Sequence, residues 1–252
     1  MHGKTLALAL LAQAAAAQQM IRFGCSQLVI ERLDPLVNPG SLASPHVHQI
    51  VGGNSFNASM DSAAGHDLVA DSTCTSCTFS EDFSNYWTAV MYFRARNGTY
   101  KRVPQFPNVG LRADGGITVY YIPPYDGVST VTAFQPGFRM LVGDAGLRSS
   151  EGQQRQLCHR CYEEEDYTGG SSGGAPCTGS DTASLPPQAC KGGIRTTITF
   201  PTCWDGENLD SPDHKSHVAY PAKGTFESLG DCPETHPVKL PQLMYEVMWD
   251  VS

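Results

Sequence analysis

The chain has 252 residues, 17 Lys and Arg against 25 Asp and Glu, a formal net charge of −8 and no block of basic residues. That balance argues against a nucleic-acid partner and against an anionic membrane surface, because both repel a net-negative chain. The length suffices for one sizeable core, and nothing in the composition calls for a second domain.

Residues 1–17 read as a secretory signal peptide. A start bearing Lys4 precedes an apolar stretch, and Ala15-Ala16-Ala17 is the small-residue pattern of a cleavage site before Gln18. The apolar stretch is too short for a membrane span, which needs about 20 residues. Removing the leader takes one basic residue, so the mature net charge is about −9. Residues 18–252 are expected to form a single domain.

Alternating apolar patterns dominate the rest. Leu28-Val29-Ile30 marks a first strand. Residues 88–96 alternate, Asn97-Gly98 signals a hairpin turn, and 100–103 return. Further strands are expected at 117–122, 138–142 and 194–200. In 243–250, Leu243, Tyr245, Val247 and Trp249 share one face. Residues 163–193, with four consecutive acids and a Gly/Ser run, read as a flexible surface loop that a Cys177–Cys190 bridge would clip. The fold class is mainly β: an antiparallel, sandwich-like domain with long disulfide-clipped loops and few short helices.

All nine cysteines follow the leader, and in an oxidising compartment they read as disulfides with one left over. The C-x-x-C pairs Cys74/Cys77 and Cys158/Cys161 read the same way. The acids after Cys161 disfavour a thiolate, so a redox role is not expected. Two sequons, at Asn57 and Asn97, fit an exported glycoprotein.

Three histidine motifs stand out. His46 and His48 would point to one face of an extended segment, a spacing that suits a shared divalent metal. In Asp210-Ser211-Pro212-Asp213-His214-Lys215-Ser216-His217, Ser211 and Pro212 suit the start of a helical turn that would set His214 beside His217. Two prolines and Cys232 hold His236. These histidines could gather with Asp205, Asp210 or Asp213 as a metal site or an acid/base pair; the alternative is that they fix loop backbones. An N-terminal histidine for copper is lacking. Glu81/Asp82 and Asp205/Glu207 are carboxylate pairs, and a glycosidase would need about 5 to 9.5 Å between its two carboxyls. Tyr86, Trp87 and Trp204 could stack on sugar rings, or fill the core. There is no G-x-S-x-G elbow and no phosphate loop.

Residues 33–40, Ser44-Pro45-His46-Val47-His48-Gln49 through Asn54, 79–87, 200–217 and 232–250 together resemble one fungal family: domain of unknown function nineteen-ninety-six, found mainly in secreted proteins. The resemblance implies work at a polysaccharide surface, since family members often carry wall-associated or cellulose-binding modules. It also implies a domain continuing past Asp250, so that this chain, ending at Ser252, would be a C-terminally short copy. A cysteine in that continuation would explain the odd count.

The leading expectation is a secreted protein acting on or binding extracellular polysaccharide, with glycoside hydrolase or lyase chemistry as the catalytic form. Asp205, Asp213 and His217 would be catalytic and Tyr86, Trp87 and Trp204 would bind substrate. His46, His48, His214 and His236 would be available to a divalent metal. The alternative is a non-catalytic wall or stress protein that binds glycan or metal.

Overall fold

The eight residues Gln242–Trp249 form the longest strand and the spine of the molecule. The computed structural model describes residues 20–60, 66–107, 111–124, 129–144, 146–149, 157–163, 177–223 and 230–252. The expected leader and residues 164–176 of the Gly/Ser-rich loop lie outside the described residues. In chain order the strands are β1 (Ile21–Cys25), β2 (Val29–Glu31), β3 (His48–Gly52), β4 (Asn85–Ala89), β5 (Tyr92–Arg94), β6 (Tyr100–Arg102) and β7 (Ile117–Ile122). Then come β8 (Leu157–Cys161), β9 (Ile194–Thr199), β10 (Cys203–Trp204), β11 (Val218–Ala219), β12 (Val238–Lys239) and β13 (Gln242–Trp249). The one described α-helix, α1, is a single turn at Leu68–Asp71, capped by the Asp67 carboxylate. It is neither long nor apolar enough to cross a membrane.

The fold is mainly β and antiparallel, as expected. A five-stranded sheet runs in the order β1-β7-β13-β9-β8, and β2-β3-β4 form a three-stranded sheet. Leu243, Tyr245, Val247 and Trp249 all point into the principal core, with Phe23, Val119 and Ile194 from neighbouring strands. Val51 and Tyr86 of the three-stranded sheet enter the same core, and the Tyr86 and Tyr245 rings meet edge-on at 5.6 Å. Facing sheets of alternating side chains thus remove apolar area from water on both inner faces, at about 25 cal/mol per Å2. Gly52 ends β3 at φ +106°, where a side chain would strike the Ser84 carbonyl.

The outer face of the five-stranded sheet is not the solvated face that alternation predicts. Glu246, Met244 and Met248 are as buried as their inward neighbours. A polar row crosses that face, one residue from each strand. Arg22 Nε donates to Tyr120 Oη at 2.8 Å, and Tyr120 donates to Glu246 Oε2 at 2.5 Å. Arg195 pairs with Glu246 Oε1 at 3.2 Å, and Arg160 pairs with Asp181. Buried charges are costly unless paired, and the most enclosed two of the row, Glu246 and Arg195, pair with each other.

Several expectations are corrected. The alternation at 88–96 is divided: β4 ends at Ala89, and the chain leaves the sheet after Val90 bonds to Val47. The hairpin about Asn97-Gly98 is present, with Arg94 opposite Tyr100. Residues 138–142 form no strand. Phe138 and Met140 pack against Trp204, Val218 and Leu240 in a satellite core, while the Arg139 and Leu141 amides donate to the Leu209 and His214 carbonyls. Ring burial, not a ladder, explains that apolar alternation.

Four disulfides close: Cys25–Cys77, Cys158–Cys177, Cys161–Cys190 and Cys203–Cys232. Cys74 is free and exposed. Cys177 and Cys190 do not bridge each other. Each reaches back to β8, whose Cys158 and Cys161 lie three residues apart and so face opposite sides of the strand. The loop is therefore fastened to the sheet edge at two points, not tied to itself.

Candidate functional site

The loops 205–217 and 230–237 flank a small sheet, β11-β10-β12, anchored by Cys203–Cys232. Beneath them lies the satellite core, and the Phe138 ring sits 5.4 Å from that of His217. No helical turn forms at 211–217. His214 adopts φ +57° and its Nδ1 lies 2.7 Å from Asp210 Oδ1. Asp213 takes over the local capping, accepting from the Lys215 and Ser216 amides at 3.1 and 2.9 Å. A short acidic side chain that captures its own neighbours' N–H groups competes with helix formation.

His217 is fully buried, and both of its ring nitrogens are engaged. Nε2 lies 2.7 Å from the Arg139 carbonyl, which can only accept, so Nε2 carries a hydrogen. Nδ1 lies 2.8 Å from Ser211 Oγ, which is also 2.8 Å from Asp213 Oδ1. The order is carboxylate, hydroxyl, imidazole. Nucleophilic hydrolysis needs another order, with the hydroxyl at the free end and the imidazole between it and the carboxylate. The chain therefore fastens a loop and leaves no activated oxygen facing outward.

The two nearby carboxylates are held ionised. Burial pushes the Asp205 carboxyl up, but hydrogen bonds from the Asn208 amide and from the Glu207 and Asn208 backbone outweigh it and leave it below the ordinary value. Asp213 is held well below the usual range by the Ser216 backbone and hydroxyl, then by Ser211 and Lys215. Neither can be a general acid near neutrality, which needs a raised pKa. His236 has Nε2 3.0 Å from the Ser216 carbonyl and Nδ1 2.9 Å from Thr235 Oγ1. Both His217 and His236 have their nitrogens engaged by protein groups.

The other motif lies on the outer face of the three-stranded sheet. His48 is buried at the start of β3, with Nδ1 2.9 Å from the Leu33 carbonyl. Its Nε2 lies 4.0 Å from Asp34, whose other oxygen accepts from the Leu36 and Val37 amides. His46 is exposed just before the strand, its ring 6.2 Å from that of His48. Across the sheet, Trp87 sits opposite Ile50, on the same face as His48. Among the described residues no hydrogen bond, ion pair or ring contact joins this patch to His214, His217 or His236. Nor do three or more of the described His, Cys, Asp and Glu residues converge as a metal site would require.

The three candidate stacking rings have different surroundings. Tyr86 is in the core, donating to Asp82 at 2.6 Å and lying 2.7 Å from the Tyr121 hydroxyl. Burial, and then the Asp82 charge, push Tyr121 up to about 12. Trp204 is buried, with Nε1 donating to the Asn208 carbonyl at 2.7 Å. Trp87 alone of the three keeps a partly open ring, edge-on to Phe56 at 6.1 Å. Of the carboxylate pairs, Glu81 accepts from Ser80 while Asp82 serves Tyr86 and the Ser84 amide.

Motif spacing missed Ser211, Arg139 and Asp34. Ser211 lies inside the Asp210–His217 motif, where its position suggests a helix cap. Arg139 contributes a main-chain carbonyl, for which side-chain chemistry gives no signal.

The motifs around these sites agree with a match over residues 34–252 to the family described as Domain of unknown function (DUF1996). The chain belongs to this family. No curated protein and no solved structure matches it. Both histidine patches, the satellite core and the β5–β6 hairpin lie within the matched span.

Proposed function

We propose that this member of the family is an extracellular protein that binds polysaccharide without cleaving it. The observation that carries this reading is the internal engagement of the His/Asp loops. His217 and His236 have both nitrogens engaged, and Asp205 and Asp213 are held ionised by their own neighbours. Such groups position a loop; they do not pass protons to a glycosidic oxygen. The open ring is Trp87, beside Phe56 and on the face that carries His48. An aromatic plane with polar neighbours suits the apolar face of a pyranose. Four disulfides fit the oxidising compartment that an exported protein meets.

The test is a paired assay on a panel of wall glucans, with binding measured by co-sedimentation and cleavage by release of reducing ends. Binding lost in Trp87→Ala, with no reducing ends from the native protein, is the expected result. Reducing ends that vanish in His217→Gln or Asp213→Asn would overturn the non-catalytic reading in favour of hydrolysis.

A further inference from the structure

The β5–β6 hairpin grows out of the principal core at Met91 and Val103 and projects away from it. Every residue of its two strands is exposed, with Tyr92, Phe93 and Tyr100 at 41%, 59% and 64%. Large rings in such positions are ordinary singly but unusual as a group of three. The register sets Tyr92 opposite Arg102, Phe93 opposite Lys101 and Arg94 opposite Tyr100. Because side chains alternate, Tyr92, Arg94, Tyr100 and Arg102 share one face as a checkerboard of rings and guanidinium groups. Phe93 and Lys101 repeat the pairing on the other face.

The charge of this ribbon is opposite to that of the chain. Between positions 91 and 103 stand Arg94, Arg96, Lys101 and Arg102 with no Asp or Glu, in a protein of net charge −8. Among the described residues, none of the four makes an ion pair or a side-chain hydrogen bond. Exposed rings interleaved with unengaged cations suit a ligand that offers apolar ring faces and anions by turns.

We infer that the β5–β6 hairpin is a binding surface for an acidic, uronate-bearing polysaccharide. This rests on the polysaccharide-binding reading above and names the ligand class and a second surface for it. Tyr92 and Tyr100 stack on pyranose faces, while Arg94 and Arg102 take the ring carboxylates in the planar, two-point manner of guanidinium. The overall charge favours this polymer over nucleic acid. Duplex DNA places a charge about every 1.7 Å along its axis, so repulsion from the rest of the protein is greatest there. A uronate chain is more sparsely charged and presents sugar faces between its carboxylates.

The experiment measures binding of the intact secreted protein to polygalacturonate, its methyl-esterified form, a neutral β-glucan, a single-stranded oligonucleotide and phosphatidylserine vesicles at one ionic strength. Polygalacturonate binding is expected to exceed binding to the ester, the oligonucleotide and the vesicles. It should fall roughly tenfold in R94Q/R102Q and also in Tyr92→Ala/Tyr100→Ala, and weaken with added salt. All four positions are exposed, so the variants keep the fold, and circular dichroism verifies this. Equal binding by native protein and both variants overturns the inference, as does tighter binding of the oligonucleotide or vesicles. Neutral-glucan binding that depends on Trp87, with polygalacturonate binding indifferent to the hairpin, sinks this inference alone. Binding to none of the glycans sinks the polysaccharide reading with it.

Discussion

Two parts of this molecule use arginine and tyrosine in opposite ways. On the outer face of the five-stranded sheet, Tyr120, Glu246 and Arg195 form the buried middle of a row that runs from exposed Arg22 to half-buried Asp181 and Arg160, and its charges answer one another. On the hairpin, Tyr92, Arg94, Tyr100 and Arg102 alternate in the open with no carboxylate among them. Residue type is nearly the same in both; partners and water differ. In the row, removing one member strands a neighbour in low dielectric. On the hairpin, water already solvates every charge, so removal costs the fold little and leaves ligand binding as the property at stake.

The comparison breaks most visibly at Glu246. Glu246→Ala should destabilise the protein by about 3–5 kcal/mol, because it takes the nearer carboxylate from buried Arg195 and the acceptor from buried Tyr120. Urea unfolding followed by tryptophan fluorescence measures this. A loss well under 1 kcal/mol would mean that water reaches the row and that the two regions do not differ in kind. Next is the clip that holds Asp181 near the row. The C158S/C177S variant opens a disulfide of sequence separation 19 and should cost about 3 kcal/mol.

Ser211→Ala sharpens the contrast at the histidine loops, where polar atoms are also internally engaged. It leaves buried His217 Nδ1 without its hydroxyl and should cost about 1–3 kcal/mol in the same assay. Alkaline titration probes the tyrosines. The folded-state pKa of Tyr121 is raised, by burial first, to about 12. For an acid whose pKa rises on folding, the stabilisation is complete below the unfolded value near 10 and is lost as pH climbs towards 12. The unfolding midpoint should therefore fall across that window, and Tyr121→Phe should reduce the fall. The smallest effect belongs to the hairpin, where R94Q/R96Q/K101Q/R102Q should change stability by no more than about 0.5 kcal/mol per site.

Much of the fold was legible because a strand's period of two is a local property. Residues 117–122 and 194–200 read as strands from their own side chains, the second ending one residue earlier in the structure, at Thr199, and 243–250 also shows which side chains share the face that enters the core. Asn97-Gly98 announced the hairpin because that pair accepts the backbone a tight turn requires. Where the same alternation served another purpose, as in 138–142, the pattern misled. Its rings fill a satellite core whose other walls, Trp204 and Leu240, lie far along the chain.

The candidate site divides in the same manner. The sequence by itself determined which residues could do chemistry, the parity of all nine cysteines and the family motifs around His46, His48, His214, His217 and His236. It also carries the cations and rings of 91–103, which are interleaved and form no block. Only the tertiary structure decided that Ser211 stands between His217 and Asp213, that Cys177 and Cys190 each return to β8, and that Glu246 and Arg195 lie buried within a charged row across a sheet. The physical reason is range. Backbone periodicity and turn preference act within a few residues. The state of an imidazole or a carboxylate depends on which distant carbonyl, hydroxyl or opposite charge the fold brings within about 3 Å of it.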